Sequence, residues 1–325
     1  MQSENLQGLE GKPGVYFLII GESQNRLHMS AYGYDKETTP WLDSMKDDPH
    51  CILFTQARSC HTHTVQVLAY ALTAKNQYND MPLEEALSLI EVAKAAGFRT
   101  IWLSNQARYG AFDTPISVIA SEADEQVWLN QHTSETYATS VYDGKLVDAL
   151  KNVTLAEKTL VVVHLMGNHG SYIDRYPPEW RKDDDTVATG AYDNSIRYND
   201  AVMQDMYETM RQIPGFAAAI YFADHADDVD AGLAHDANQF TQNMTKIPLY
   251  MLFSDDYRVA EPEKIQELTA HRTDLFTNDL IFNTMLALMN IYIPNNYEPA
   301  NDVTRKSYDA DSTRFRTLYG QKALE

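Results

Sequence analysis

Short apolar runs that stop abruptly at polar residues recur along the chain. They are four to seven residues long and rich in valine, isoleucine and aromatic side chains, as in VYFLII. Runs of this length and composition predict strands that are buried on both faces. Five such strands are predicted, at 15–20, 99–103, 160–163, 217–222 and 247–253.

Helical periodicity separates these runs. Leu83, Leu87 and Ile90 are spaced at i, i+4 and i+7, and the pattern stops at Gly97, a typical residue at a helix C-terminus. Three more helices are predicted, at 65–72, 199–210 and 278–289. Strands that alternate with helices favour an α/β fold with a mainly parallel central sheet flanked by helices.

The polar residues that follow the five runs are the first candidates for a functional site. Parallel strands end at the same edge of a sheet, and ligands bind outside those carboxyl ends. We therefore expect all five polar endings to share one rim. They contain Glu22, Asn105 and Gln106, His169, Asp224 and His225, and Ser254, Asp255 and Asp256.

Two segments differ in character from the predicted domain. Residues 1–13 are polar and are predicted to be a tail or linker that precedes a single catalytic domain at 14–325. Residues 171–190 include RYPPEWRKDDD and are predicted to form a surface loop, either a lid or an insertion without function. The sequence contains no run of 18 apolar residues, so no transmembrane segment is predicted within it.

The charge of the chain limits its partners. The 46 acidic and 26 basic residues give a formal net charge of −20. Nucleic-acid binding requires a basic cluster, which this sequence lacks, so we expect no nucleic-acid partner. An anionic substrate would need a locally positive site, and a bound metal ion provides one.

The donor types on the predicted rim indicate which metal. Glu22, Asp224, His225, His169 and His235 offer carboxylates and imidazoles without a thiolate. This set favours catalytic zinc or manganese over a closed structural site. From spacing alone, a single acid after a strand such as Glu22 is more often a solvated loop residue.

The stretch RSCHTHTV at 58–65 holds several nucleophile candidates. The hydroxyl of Thr64 would lie at a helix N-terminus, where free N–H groups favour an anion, and a metal could activate it. The ordinary role of threonine there is a helix N-cap, and this stretch alone favours the cap. A Cys60 thiolate assisted by His61 or His63 is the alternative, although such groups are usually assembled from distant parts of the chain.

Six segments, in order, resemble the catalytic domain of the phosphoethanolamine transferases, in the alkaline phosphatase/sulfatase superfamily. The similarity runs from about Gly14 to about Pro294 and is greatest to the CptA/EptC-like branch. The segments lie at 21–42, 59–73, 102–106, 161–169, 192–200 and 221–228.

The resemblance implies a membrane-anchored enzyme of a Gram-negative bacterium, whose catalytic domain faces the periplasm and whose anchor lies outside this chain. Such an enzyme takes phosphoethanolamine from phosphatidylethanolamine and places it on lipid A, lipooligosaccharide core or protein through a phosphothreonine. The resemblance assigns one tightly bound zinc ion to four residues and makes the threonine the nucleophile. The four are Glu22, Thr64, Asp224 and His225.

Other roles follow from the same resemblance. His169 and His235 would hold phosphate oxygens or a second zinc ion. Asn105 and Gln106 would contact the ethanolamine or the acceptor.

The chain departs from the family pattern in three places. Tyr70 stands where many members carry a second cysteine, so their disulfide is not expected here. Ala226 and Asp227 replace a Gly-Glu pair, and the C-x-P-x-R pattern of sulfatases is absent after Cys60. A phosphodiesterase or phosphatase, a phosphoglycerol transferase and a metal-binding module without catalysis are the alternatives.

Overall fold

The fold is built around one seven-stranded sheet. A computed structural model describes residues 6–108, 114–130, 141–294 and 296–324. The strands of this sheet are β1 (Gly14–Gly21), β2 (Cys51–Phe54), β4 (Arg99–Ser104), β5 (Glu125–Trp128), β6 (Lys158–His164), β7 (Phe216–Ala223) and β8 (Leu249–Phe253). Their order across the sheet is β2-β8-β7-β1-β6-β4-β5. Two short pairs lie outside it, β3 (Ala57–Arg58) with β9 (Phe276–Thr277) and β10 (Arg316–Thr317) with β11 (Lys322–Ala323).

Most of the sheet is parallel, which confirms the predicted fold class. The central strand β1 pairs in parallel with both β6 and β7, and β4 pairs in parallel with β6 and β5. All eight residues of β1 are buried, as expected for a strand covered on both faces.

One strand runs against the others. β8 is antiparallel to β7, so its polar ending lies at the opposite edge of the sheet. There the backbone N–H of Ser254 donates to the carbonyl of Ala217, near the start of β7. The prediction that all five polar endings share one rim is therefore wrong for residues 254–256. An apolar run reveals that a strand is buried but not its direction.

Helices cover both faces of the sheet. One face packs against the helices at 64–71, 89–95, 114–121 and 281–288, and the other against those at 40–45, 144–152 and 188–210. Side chains of β1 alternate between the two cores, because successive residues of a strand point to opposite faces. The helices are α1 (Pro40–Met45), α2 (Thr64–Ala71), α3 (Leu89–Ala95), α4 (Thr114–Ser121), α5 (Gly144–Asn152), α6 (Ala188–Met210), α7 (Asp255–Ala260), α8 (Pro262–His271) and α9 (Ile281–Leu288).

Several helix boundaries differ from the predicted ones. The helix predicted from Leu83 starts only at Leu89, because Ser88 caps it in a capping box with Glu91. Leu83 itself is in a 3-10 turn and is 41% exposed. Helix α6 starts at Ala188 rather than near 199, so it includes the end of the predicted loop at 171–190.

The rest of that segment contains short turns. Its 3-10 helices are Tyr172–Asp174 and Pro178–Trp180. Whether the segment acts as a lid remains a prediction. The helix predicted at 278–289 is found as a 3-10 turn, Asn278–Leu280, followed by α9.

The predicted domain start at residue 14 coincides with the first residue of β1. Of the preceding residues, Leu9 is 8% exposed within the core, and Lys12 forms an ion pair with Glu261 at 2.8 Å. The described part of the predicted tail thus packs against the domain, and the single-domain division remains a prediction. Within the described residues, no helix combines the length and apolarity needed to cross a bilayer.

A pH-dependent contribution to stability is expected from Asp200. This buried carboxylate on α6 accepts the backbone N–H groups of Trp41 and Leu42, and burial raises its pKa to about 7. Asp200 therefore binds its proton more tightly in the folded protein than in the unfolded chain. The stability that this proton contributes is present at low pH and is lost as pH rises toward 7. In denaturant titrations, Asp200→Asn should gain stability relative to wild type between pH 4.5 and 7.5, by at most about 1.4 kcal/mol per pH unit. A difference that does not change with pH would contradict this assignment.

Candidate active site

Glu22 lies at the carboxyl end of the central strand and is 1% exposed. The next residue, Ser23, has φ of 53° and donates its backbone N–H to Asp224 Oδ1 at 3.1 Å. The loop after β6 fixes Glu22 from the other side. Asn168 N–H donates to the Glu22 carbonyl at 2.9 Å, and a Cβ on Gly167 would lie 2.8 Å from the Glu22 nitrogen. Only glycine fits there, so Glu22 is held between two loops.

Asp224 and His225 reach the same point from β7. The parallel register pairs Gly21 with Ala223, which places the residues that follow each strand side by side. The Nε2 atom of His225 is 3.2 Å from Glu22 Oε1 and 3.5 Å from Asp224 Oδ2. Both side chains from β7 are fully buried. The rule that polar residues gather at the carboxyl ends of parallel strands is confirmed for this pair of strands.

Thr64 completes this cluster from a third element. It is the first residue of α2, and the preceding His63 occupies the cap position without a capping hydrogen bond from its side chain. The Thr64 hydroxyl donates to Glu22 Oε2 at 3.1 Å and lies 3.4 Å from His225 Nε2. Thr64 is therefore not the N-cap of the helix, and its hydroxyl faces the carboxylate and imidazole instead.

Burial and mutual charge set the protonation of this cluster. Burial raises the pKa of Asp224 well above its usual value, and the charge of Glu22 adds to that effect. Burial opposes ionisation of Glu22 too, but the hydrogen bond and charge of His225, with the charge of His169, hold the pKa of Glu22 well below its usual value. Burial alone would lower the pKa of His225, but the charge of Asp224 and its contacts with Glu22 raise it to about 10. The raised pKa of Asp224 indicates that the buried cluster does not hold two ionised carboxylates without further positive charge, which a bound cation would supply.

The donor set fits zinc. Ligand atoms of Glu22, Asp224 and His225 all lie within 4.8 Å of one another, and all three residues are buried. Two carboxylates, one imidazole and a hydroxyl are hard to borderline ligands, as in catalytic zinc sites. The sequence-predicted ligands are therefore brought together, and their role as ligands remains a proposal.

A second group of donors adjoins the first. His225, Asp227 and His235 also have ligand atoms within 4.8 Å of one another. The Nδ1 of His235 lies 2.7 Å from Asp227 Oδ1, and Tyr172 donates to the other oxygen of Asp227 at 2.6 Å. His169 is not in this group. Its charge helps to lower the pKa of Glu22, so it lies near enough to act on the first cluster.

Asn105 and Gln106 follow β4, but their amide groups serve the protein interior. Asn105 Nδ2 donates to Asp143 at 2.9 Å and to the Val141 carbonyl at 3.2 Å. Gln106 Nε2 donates to the Leu165 carbonyl at 2.8 Å. These bonds support the loop after β6, and direct contact of either residue with the substrate remains a prediction.

The alternative nucleophile has an unsuitable environment. Cys60 is fully buried, and burial together with the charge of Asp279 raises the pKa of its thiol well above the usual value. A neutral, enclosed thiol is a poor nucleophile. Cys51 is also buried, and both cysteines are free.

Asn278 and Asp227 are functional candidates that the sequence alone did not single out. Asn278 Oδ1 accepts the Cys60 N–H at 2.9 Å, and its Nδ2 donates to the Asp224 carbonyl at 2.7 Å. It thus links the Thr64 loop to the end of β7. Its position at the start of a helical pattern gave no signal, because its partners are distant in sequence. Asp227 lay in a motif that departs from the family pattern, which obscured its role.

The chain is similar to known proteins over nearly its whole length. The Sulfatase family model matches residues 15–291. Phosphoethanolamine transferase EptC of Escherichia coli is 31% identical over 96% of this chain, and phosphoethanolamine transferase CptA of Salmonella typhimurium is 27% identical over the same share. The chain covers 57% of each, so it spans just over half their length.

Solved structures show the same fold. The C-terminal periplasmic domain of EptC from Escherichia coli, in complex with Zn, superposes with a TM-score of 0.86 at 26% identity, covering 98% of this chain and 94% of that domain. A Vibrio parahaemolyticus protein of the alkaline phosphatase superfamily superposes with a TM-score of 0.63 at 15% identity, covering 89% of this chain and 69% of that one. The latter similarity shows the fold alone.

Zinc affinity should depend on the buried carboxylates. In calorimetric titrations of the metal-free protein, Asp224→Asn should weaken the tightest zinc binding by more than about 100-fold, the upper end of what loss of an outer-shell partner costs. The matched control is Asp200→Asn, another buried carboxylate, which should bind zinc as the wild type does. Equal affinities in all three proteins would show that zinc binds elsewhere.

Proposed function

Because the chain belongs to the sulfatase family, we propose that it is the catalytic domain of a zinc-dependent phosphoethanolamine transferase. It takes the headgroup from phosphatidylethanolamine and passes it through Thr64 to an envelope acceptor, either lipid A, lipooligosaccharide core or protein. The observation that carries the proposal is the placement of the Thr64 hydroxyl, at a helix N-terminus and 3.1 Å from the buried Glu22 carboxylate. A residue that merely capped the helix would turn its hydroxyl toward the backbone instead.

Glu22, Asp224, His225 and Thr64 would hold the zinc ion, which would lower the pKa of the Thr64 hydroxyl and offset charge on the phosphoryl oxygens. The protein supplies the position of the nucleophile. Thr64 lies in the first turn of α2, where backbone N–H groups without helical partners favour an anion. The hydrogen bond to Glu22 fixes the hydroxyl in the attacking orientation.

Two displacements complete the reaction. In the first, the bond from Thr64 Oγ1 to phosphorus forms, the bond from phosphorus to the diacylglycerol oxygen breaks, Thr64 loses its proton and the diacylglycerol oxygen gains one. In the second, the acceptor hydroxyl or phosphate oxygen bonds phosphorus and loses its proton, and Thr64 is released and regains one. His235 is the proposed proton donor and acceptor, since Asp227 holds its Nδ1 at 2.7 Å and its side chain is 28% exposed. His169 is proposed to hold a phosphoryl oxygen.

The same proposal places the domain at the periplasmic face of the inner membrane of a Gram-negative bacterium. The support is its similarity to the periplasmic domain of EptC. The anchor of the whole protein would be a segment outside this chain.

The nucleophile is tested by mass spectrometry. After incubation with zinc and phosphatidylethanolamine, intact mass and peptide mapping should show one phosphoethanolamine adduct on Thr64. Thr64→Ala should form no adduct, and Thr64→Ser should restore it at a reduced rate, because serine keeps the hydroxyl. An adduct on Cys60 or a histidine would overturn the assignment. Steady diester hydrolysis without an adduct, lost in Thr64→Ala, would favour a phosphodiesterase.

An alternative role for the group formed by His225, Asp227 and His235, exclusive with proton transfer by His235, is to hold a second zinc ion. Asp227→Asn should remove a weaker binding event from the zinc titration and leave the tight one within about threefold, because only the tight site retains all its charged ligands. The half-buried neighbour Asp236, which caps the turn at 237–239, supplies the matched control, Asp236→Asn. A single binding event in the wild type would exclude the second ion.

A further inference from the structure

The loop that carries Thr64 is held on its inner side by polar contacts. Asn278 accepts the Cys60 N–H, and the hydroxyl of Ser59 donates to the Asp224 carbonyl at 2.6 Å. The cysteine within the loop is free, so no disulfide crosslinks it. The outer side of the loop faces a hairpin near the end of the chain, formed by β10 and β11.

Tyr319 lies at the tip of this hairpin and contacts both ends of the Thr64 loop. Its backbone N–H donates to the Cys60 carbonyl at 3.4 Å, four residues before Thr64. Its hydroxyl donates to the Gln66 carbonyl at 3.0 Å, two residues after Thr64. Its ring stacks on Tyr70 of α2, with centroids 4.3 Å apart and an interplanar angle of 23°. Tyr319 thus bridges the segment before the nucleophile and the first two turns of the nucleophile's helix, through its backbone N–H at Cys60 and through its side chain at Gln66 and Tyr70.

The ring of Tyr319 also begins a row of rings that leads to the metal-ligand cluster. Its centroid is 4.9 Å from that of His61, and the His61 and His63 rings are 5.6 Å apart. The His63 and His235 rings are 5.4 Å apart, and His235 is 4.2 Å from His225. Displacement of Tyr319 would therefore shift the imidazole rings that lie beside Thr64.

The backbone conformation at the hairpin tip is unfavourable for a tyrosine. Tyr319 and Gly320 have φ of 55° and 86°, and Gln321 N–H donates to the Leu318 carbonyl at 3.3 Å across them. Tight hairpin turns with two positive φ values strongly favour Asn-Gly, and a bulky residue at the first position is strained. Leu318 also has a positive φ, of 51°. Such strain persists only where surrounding contacts over-determine it, and it is commonest at functional sites.

Gln77 anchors the tip from the side. Its Nε2 donates to the Arg316 carbonyl and its Oε1 accepts the Gly320 N–H, both at 2.9 Å. Its own backbone N–H donates to the buried Asp279 at 2.8 Å. The hairpin is thus fixed to the domain independently of the Thr64 loop, so it can serve as a support for that loop.

We propose that Tyr319 is a positioning residue for Thr64. Its two hydrogen bonds and its stacking on Tyr70 hold the segment from Cys60 to Gln66 so that the Thr64 hydroxyl meets the metal ligands. Within the part of the chain that the structure describes, the side chain of Tyr319 contacts His61, Gln66 and Tyr70 and not Glu22, Asp224 or His225. Its effect on the cluster therefore passes through the loop. This proposal rests on the proposed role of Thr64 as the nucleophile.

Single-turnover kinetics and hydrogen exchange test it in the whole chain. With zinc and a short-chain phosphatidylethanolamine, Tyr319→Ala should slow phosphothreonine formation at saturating donor by about 10- to 100-fold, since misplacement of a nucleophile by about 1 Å has effects of that size. Half-saturation by the donor and zinc affinity should stay within about threefold. Tyr319→Phe keeps the ring and should recover most of the rate, because a single neutral hydrogen bond contributes only about 1 kcal/mol.

The matched control is Tyr297→Ala. Tyr297 is 44% exposed against 37% for Tyr319, and its hydroxyl donates to Asp302, away from the Thr64 loop. Amide exchange at 61–66 should rise in Tyr319→Ala and not in Tyr297→Ala. Equal rates of phosphothreonine formation in the two alanine variants would overturn the proposal, as would a slower rate accompanied by an equal loss of zinc affinity or thermal stability.

Failure of the two proposals can be told apart. If the wild-type protein forms no phosphothreonine, the nucleophile assignment fails. Hydrogen exchange at 61–66 then decides whether Tyr319 holds the loop: faster exchange in Tyr319→Ala alone supports it, and unchanged exchange overturns it.

Discussion

The organisation of the active site depends on two carboxylates buried beside one imidazole. Glu22 and Asp224 are at most 1% exposed, and both approach His225 Nε2 within 3.5 Å. Removing two carboxylates from water is costly unless positive charge and hydrogen bonds compensate it. The raised pKa of Asp224 reflects this desolvation cost, and a divalent cation bound between the two carboxylates would offset it. The surrounding loops hold the two carboxylates together despite their repulsion.

The contacts that fix the two carboxylates come from elements far apart in sequence. The parallel register of β1 and β7 sets the spacing of Glu22 and Asp224, and Gly167 closes over the Glu22 backbone. Asn278 connects Asp224 to the loop that leads into α2. Each contact is a backbone hydrogen bond or a close approach that tolerates little displacement. Precision of this kind is what a metal-assisted displacement requires, since the nucleophile must meet both metal and phosphorus.

The acidic composition and the proposed lipid chemistry are compatible because a bound metal ion would make the reacting site locally positive. The net charge of −20 belongs to the whole chain, whereas the proposed reaction depends on a small enclosed cluster. A cavity of about 980 Å³ lies at the opposite edge of the sheet, lined by Gly14, Ala217 and Ser254 among others. It contains neither Thr64 nor its ligand cluster. Size alone therefore does not identify the reacting site, and the convergence of titratable groups does.

The sequence by itself determined five strands of the central sheet, though not the half-buried edge strand β5, and it determined the mainly parallel pairing and the candidates Glu22, Asp224 and His225, because short apolar runs and polar strand endings are local signals. It indicated that Glu22, Asp224 and His225 follow strands, but it could not place β8 antiparallel, since direction depends on pairing. It favoured a helix cap for Thr64, and only the tertiary structure shows the hydroxyl turned toward Glu22. The roles of Asn278, Asp227 and Tyr319 were likewise not indicated by the sequence, because most of their partners lie tens to hundreds of residues away. Contacts of that range are decided by packing, which no local pattern encodes.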